Sequence, residues 1–112
     1  MLKFAVMFRQ PNDIEAFENV YNDFLALIER MPNIVRRQVV HVLGSPSGAP
    51  PYYRVLEIYF ESQGHMQYAL MSATGQEAGN ELSRFEPGSF DVMFSEVFEE
   101  SGGQTPGLFD QQ

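Results

Sequence analysis

Residues 51–60, PYYRVLEIYF, constrain the fold more than any other stretch of the chain. β-Branched and aromatic residues dominate it, so it reads as a strand. Successive side chains of a strand point to opposite faces. Tyr52, Arg54, Leu56, Ile58 and Phe60 then share one face, and Tyr53, Val55, Glu57 and Tyr59 share the other. Both faces carry apolar surface that calls for cover, and a glutamate sits within the second.

The rest of the chain supplies partners for that strand. LKFAVMFR alternates Phe4, Val6 and Phe8 with Lys3, Ala5, Met7 and Arg9, which predicts a first strand with two largely apolar faces. QPND ends it, and Asn12 with Glu15 has the spacing of a capping box. Ile14, Phe17, Tyr21, Phe24, Ile28 and Met31 follow at intervals of three or four, the stripe of a helix lying on a sheet. Pro32 and Asn33 stop it, and Asn33 suits a left-handed turn.

IVRRQVVHVLG predicts a second strand, and SPSGAPP is a local loop before the third. Ser62 caps a second helix carrying Met66, Ala69 and Leu70. Thr74 with Glu77 suggests a new capping box, so that helix breaks near SATG and resumes from Gln76 to Phe85. FDVMFSEVFE is the fourth strand. Residues 101–112, SGGQTPGLFDQQ, read as a flexible tail in which Leu108 and Phe109 are the candidates to dock. The order strand, helix, strand, strand, helix, strand defines an α+β domain over residues 1–100. Two split βαβ units make a four-stranded antiparallel sheet with its helices on one face.

The helix-covered side is expected to hold Phe4, Val6, Phe8, Leu56, Ile58, Phe60, Phe90, Val92 and Phe94, closed by Phe17, Phe24, Leu70 and Leu82. The open side is expected to hold Ala5, Met7, Tyr53, Val55, Tyr59, Met93 and Val97, with Lys3, Arg9, Glu57, Ser95 and either His41 or its neighbours as polar members. At about 25 cal/mol per Å2, covering about 400 Å2 of apolar surface is worth roughly 10 kcal/mol before association costs. A second copy of the sheet is the simplest cover, giving a homodimer whose two sheets enclose a barrel. Glu57 is then an ion-pair partner of Lys3 or Arg9, or an acid in the enclosed space.

Composition narrows the function classes. Fifteen acidic against seven basic residues disfavour a nucleic-acid partner, which requires a basic footprint, and an anionic membrane surface. No stretch approaches the roughly 20 apolar residues that span a bilayer, so a cytoplasmic protein is expected. With no cysteine, thiolate metal sites and thiol nucleophiles are absent. His41 and His65 stand in no metal-binding motif, so neither a metal nor a cofactor is expected. Glu57 and His41 are the candidate catalytic residues, the second because histidine titrates near neutral pH. Tyr21, Phe24, Tyr53 and Tyr59 are the candidate ligand-binding residues, aromatic side chains suited to an apolar cavity with a few hydroxyls.

In MLKFAVMFRQPNDIEAFENVYNDF, LALIERMPNIVRRQVVHVLG, PYYRVLEIYFES and SATGQEAGNELSRFEPG, the chain resembles the EthD family, over roughly residues 2–99. The resemblance implies a ferredoxin-like subunit, a sheet-to-sheet homodimer of the dimeric alpha–beta barrel type and a pocket between sheet and helices. It also implies a link to cofactor-free transformations of aromatic or polyketide compounds. Relatives commonly carry a histidine in the middle of the first helix, where this chain has Phe24, which cannot transfer a proton. Glu57 matches an acidic position frequent among them. Three readings follow: a homodimer binding a small hydrophobic or aromatic molecule, a cofactor-free lyase, isomerase or cyclase, and an assembly protein without catalysis.

Overall fold

A computed structural model describes residues 1–102 of the chain. The elements run β1 (Leu2–Arg9), α1 (Ile14–Ile28), β2 (Arg36–His41), β3 (Tyr52–Phe60), α2 (Gln63–Met71), α3 (Ala73–Glu81), a short 3-10 turn (Leu82–Arg84) and β4 (Phe90–Glu96). The expected order is present, and the strands form one sheet in the order β2-β3-β1-β4 with every neighbouring pair antiparallel. The tail expectation for residues 103–112, with Leu108 and Phe109, lies outside the described residues.

Phe4, Val6 and Phe8 of β1 and Leu56, Ile58 and Phe60 of β3 are buried beneath the helices, as strand parity predicts. Phe17, Tyr21, Phe24 and Ile28 of α1 pack on them, one residue per turn of the apolar stripe. Phe8 is the centre of an aromatic cluster: the rings of Phe17, Tyr21 and Phe85 lie 5.3, 5.7 and 4.8 Å away. Two members of the expected core fall outside it. Val92 and Phe94 share the helix-side parity, yet they are 37% and 58% exposed, because β4 is an edge strand beyond the cover that buries β1 and β3. Met31, Met66, Ala69, Ala78 and Phe85 complete the core from positions that strand parity does not reach.

The helix ends show which polar groups win the free amides. Asp13, not Asn12, caps α1: its carboxylate accepts from the Ala16 N–H at 3.0 Å, while the Asn12 amide donates to Glu86. Asn33 does take the left-handed conformation, with φ 67°. Ser62 caps α2 by accepting from the His65 N–H. The break falls near SATG as expected, but Ser72 rather than Thr74 caps the next helix, which starts at Ala73 instead of Gln76. The Ser72 hydroxyl donates to the Ala69 carbonyl at 2.6 Å and accepts from the Gly75 N–H at 3.1 Å, so α3 begins at Ala73. Thr74 instead donates to the Arg30 carbonyl and ties α3 to the turn that follows α1. Gly75 is required by proximity: a Cβ there would collide with the Ala69 carbonyl oxygen and stand 2.7 Å from that of Leu70.

Candidate functional site

Across the uncovered face the side chains stand in rows. Arg36, Tyr59, Lys3 and Ser95 form the first row, Gln38, Glu57, Ala5 and Met93 the second, and Val40, Val55, Met7 and Asp91 the third. Glu57 accepts a hydrogen bond from Lys3 Nζ at 3.0 Å, with both side chains partly buried. The Tyr59 hydroxyl donates to Gln38 Oε1 at 3.0 Å, and the Arg36 guanidinium lies 4.2 Å above the Tyr59 ring centroid. Tyr59 is only 5% exposed although no helix covers it. The open face is therefore more polar than its expected membership, through Arg36, Gln38 and Asp91. Its centre is an ordered network rather than a bare apolar sheet.

Tyr53 is not part of that face. Phe8 pairs with Arg54 and Arg9 with Tyr52, so Tyr53 is an extra residue in β3 at a register shift, a β-bulge. The bulge reverses the parity of the strand's first residues. Tyr52 then meets Asp91 on the open side, its hydroxyl donating at 2.9 Å beside an Arg9–Asp91 pair at 2.6 Å. The hydrogen bond from Arg9, followed by that from Tyr52, lowers the Asp91 pKa below its ordinary value. Tyr53 turns toward α1, where its ring meets Phe17 edge-on at 5.5 Å and its hydroxyl donates to Glu18 at 3.3 Å.

The strongest electrostatic feature lies on that helix side. Arg54, 5% exposed, donates through Nη1 and Nη2 to the two carboxylate oxygens of Glu18 at 2.7 and 2.9 Å. Its guanidinium also lies 4.7, 5.2 and 5.5 Å from the rings of Tyr21, Tyr53 and Phe17. A fork-to-fork pair of this kind is both strong and directional. The hydrogen bond from Arg54 lowers the Glu18 pKa against the opposing effect of burial, with smaller contributions from Tyr53 and His41. Burial raises the Tyr21 pKa. Among the described residues, Arg54 Nε and Tyr21 Oη are buried without a hydrogen-bond partner.

The candidate residues are thus divided between two faces. Glu57 and Tyr59 stand on the open side. His41, opposite Arg54 on β2 and exposed, shares the helix side with Tyr21, Phe24 and Tyr53. The structure does not bring Glu57 and His41 together. Phe24, 1% exposed, is packed against Phe8 and Phe85, and none of the six residues lines either of the two described concavities. Among the described residues no three His, Cys, Asp or Glu side chains gather where a metal could bind. No described helix is long and apolar enough to cross a membrane. Sequence reading missed Glu18 and Arg54. The signal was present, since Arg54 is a charge on the core parity of an otherwise apolar strand.

No family model matches the chain. An uncharacterised 11.0 kDa protein of the thcB–thcC intergenic region of Rhodococcus erythropolis is 28% identical over 98 residues, covering 86% of this chain and 94% of that protein. A crystal structure of an EthD family protein of Bacillus halodurans superposes with a TM-score of 0.81 at 26% identity, over 88% of this chain and 99% of that one. A dimeric protein of ferredoxin-like fold from Bacteroides fragilis gives 0.61 at 20% identity, over 86% and 95%. SnoaB, a cofactor-independent oxygenase of Streptomyces nogalater, gives 0.65 at 14% identity over 88% and 94%, a likeness of fold. In sequence and architecture together, the chain resembles that EthD family protein, and its fold is α+β and ferredoxin-like.

Proposed function

We propose that the protein is a homodimer that joins through its open sheet faces and binds a small hydrophobic or aromatic molecule. The observation that carries this reading is the uncovered face itself. Val40 and Met93 are 39% and 50% exposed there, around a polar centre in which Glu57 is paired with Lys3 and Tyr59 with Gln38. Paired polar groups can be enclosed by a second sheet without leaving an orphaned charge, whereas an isolated carboxylate could not. The dimeric state of ferredoxin-like neighbours supports the same arrangement.

Light scattering tests the assembly. A mass near twice the 12.7 kDa of the chain is expected, and Val55→Asp, which sets a charge in the third row, should return the protein to a single subunit. A wild-type protein that stays monomeric at micromolar concentration overturns the dimer. A second reading, cofactor-free acid–base catalysis, draws on the oxygenase activity of the SnoaB neighbour and on two carboxylates held in defined hydrogen bonds, Glu57 by Lys3 and Glu18 by Arg54 and Tyr53. Glu57→Gln and Glu18→Gln separate the two as bases, since each keeps its shape and loses proton affinity.

A further inference from the structure

A groove of about 280 Å3 opens between the start of α1 and the loop that leads from the 3-10 turn into β4. It borders the open sheet face at Arg9 and holds none of the candidate catalytic or ligand-binding residues named above. We propose that this groove is where the small molecule sits, and that its ligand is an uncharged, single-ring phenol. This rests on the small-molecule reading given above and assigns its place and chemistry.

The floor of the groove is aromatic. Phe17 and Phe85 are 9% and 6% exposed, with ring centroids 5.7 Å apart and planes inclined at 48°. Tilted rings of this kind offer edges and faces to a third ring, the arrangement aromatic groups prefer over face-to-face stacking. Ala16 and Val20, one helical turn apart on α1, form an apolar wall. A closed cavity of about 150 Å3 already holds benzene. An open groove of 280 Å3 therefore has room for one substituted ring.

Charge pairing at the rim disfavours an anionic ligand. Arg9 is held by Asp91 at 2.6 Å, and Arg84 is held by Asp23 at 2.8 Å and Glu81 at 2.7 Å. Each cation is already matched, so an incoming anion would lose hydration without gaining a free partner. What the rim does present is acceptors. The carboxylates of Asp13 and Glu86 line the groove, the first engaged by one N–H and the second by the Asn12 amide. A carboxylate oxygen retains further acceptor capacity after one such bond. A neutral hydroxyl is the group that such a rim orients, with the ring it carries lying on Phe17 and Phe85.

The groove is also coupled to the buried ion pair. Phe17 forms its floor on one side and touches Tyr53 and Arg54 on the other. A ring seated there would shift the aromatic environment of Tyr53 without displacing it.

Titration of the isotopically labelled full-length protein with p-cresol, followed by amide NMR, tests the proposal. Saturable shifts centred on Ala16, Val20, Gly88 and Ser89 are expected. Ala16→Trp, at an exposed position of α1, should fill the groove and weaken binding at least about tenfold, and Ala16→Met should weaken it by an intermediate factor. Amide positions remote from the groove, unchanged in both variants, report that the fold is intact. Shifts centred on Val55, Glu57 and Tyr59, or binding indifferent to both substitutions, overturn the groove while leaving the small-molecule reading in place. Absence of saturable shifts anywhere in the chain overturns both.

Discussion

The two faces of the sheet solve opposite problems with the same four strands. Under the helices, burial is apolar and largely aromatic, and the charged pair Arg54–Glu18 stands at its edge. On the open face, burial is partial, and polar groups are tied across strands by single contacts: Lys3 to Glu57, Tyr59 to Gln38, Arg36 over Tyr59. The contrast shows that apolar composition alone does not separate a core from an interface. A core side chain is locked by neighbours on every side. An interface side chain in a single subunit is held only by its own row. The covered face should therefore set the stability of the subunit, and the open face should set its assembly.

The largest difference is expected from truncating one residue on each face. Phe8→Ala removes the centre of the ring cluster and should cost about 3–5 kcal/mol in denaturant unfolding. Val55→Ala should cost about 1 kcal/mol or less in the separated subunit, and its effect should grow with protein concentration. Equal losses at both sites, independent of concentration, would erase the distinction between the faces.

A smaller effect separates the two ion pairs. Glu18→Gln leaves the Arg54 charge in its aromatic surroundings without a counter-charge and should cost about 1–3 kcal/mol, discounted because Glu18 is itself one-third exposed. Lys3→Met should cost about 0–1 kcal/mol. The pH dependence follows from the depressed Glu18 pKa. The unfolded chain, with an ordinary carboxylate near 4.5, binds the proton first. The stability from Glu18 is fully present above that value and is lost as pH falls through the lower folded one. Unfolding curves of Glu18→Gln measured through that acid range should lack this part of the wild-type decline.

The smallest expected effect sharpens the open-face network. Tyr59→Phe removes only the hydroxyl that donates to Gln38 and should cost about 1 kcal/mol. A larger loss would mean that the row is as tightly locked as the core.

Most of the architecture was legible in the sequence because alternation in β1 and the second half of β3 is strict. Phe4, Val6, Phe8, Leu56, Ile58 and Phe60 occupy the face their parity assigns. The site was less legible, for two physical reasons. The bulge beside Tyr53 turns that side chain over, and nothing in the residue types near it announces an extra residue. Parity also says which way a side chain points but not how far the cover extends, so Val92 and Phe94 were expected to be buried and are exposed on the β4 edge. Arg54 could have been found by asking why a guanidinium shares a face with Leu56 and Ile58. The answer required Glu18, one position past Phe17 on a different element, and no local spacing connects the two.

One hydroxyl, that of Ser72, joins the Ala69 carbonyl in the last turn of α2 to the Gly75 amide in the first turn of α3. The two short segments are consequently wired in series, with one helix's terminal polarity feeding directly into the next. Loss of that hydroxyl would free an acceptor of α2 and a donor of α3 at the same stroke. The pair is a bent strut whose first arm, α2, meets the sheet and whose second, α3, meets α1.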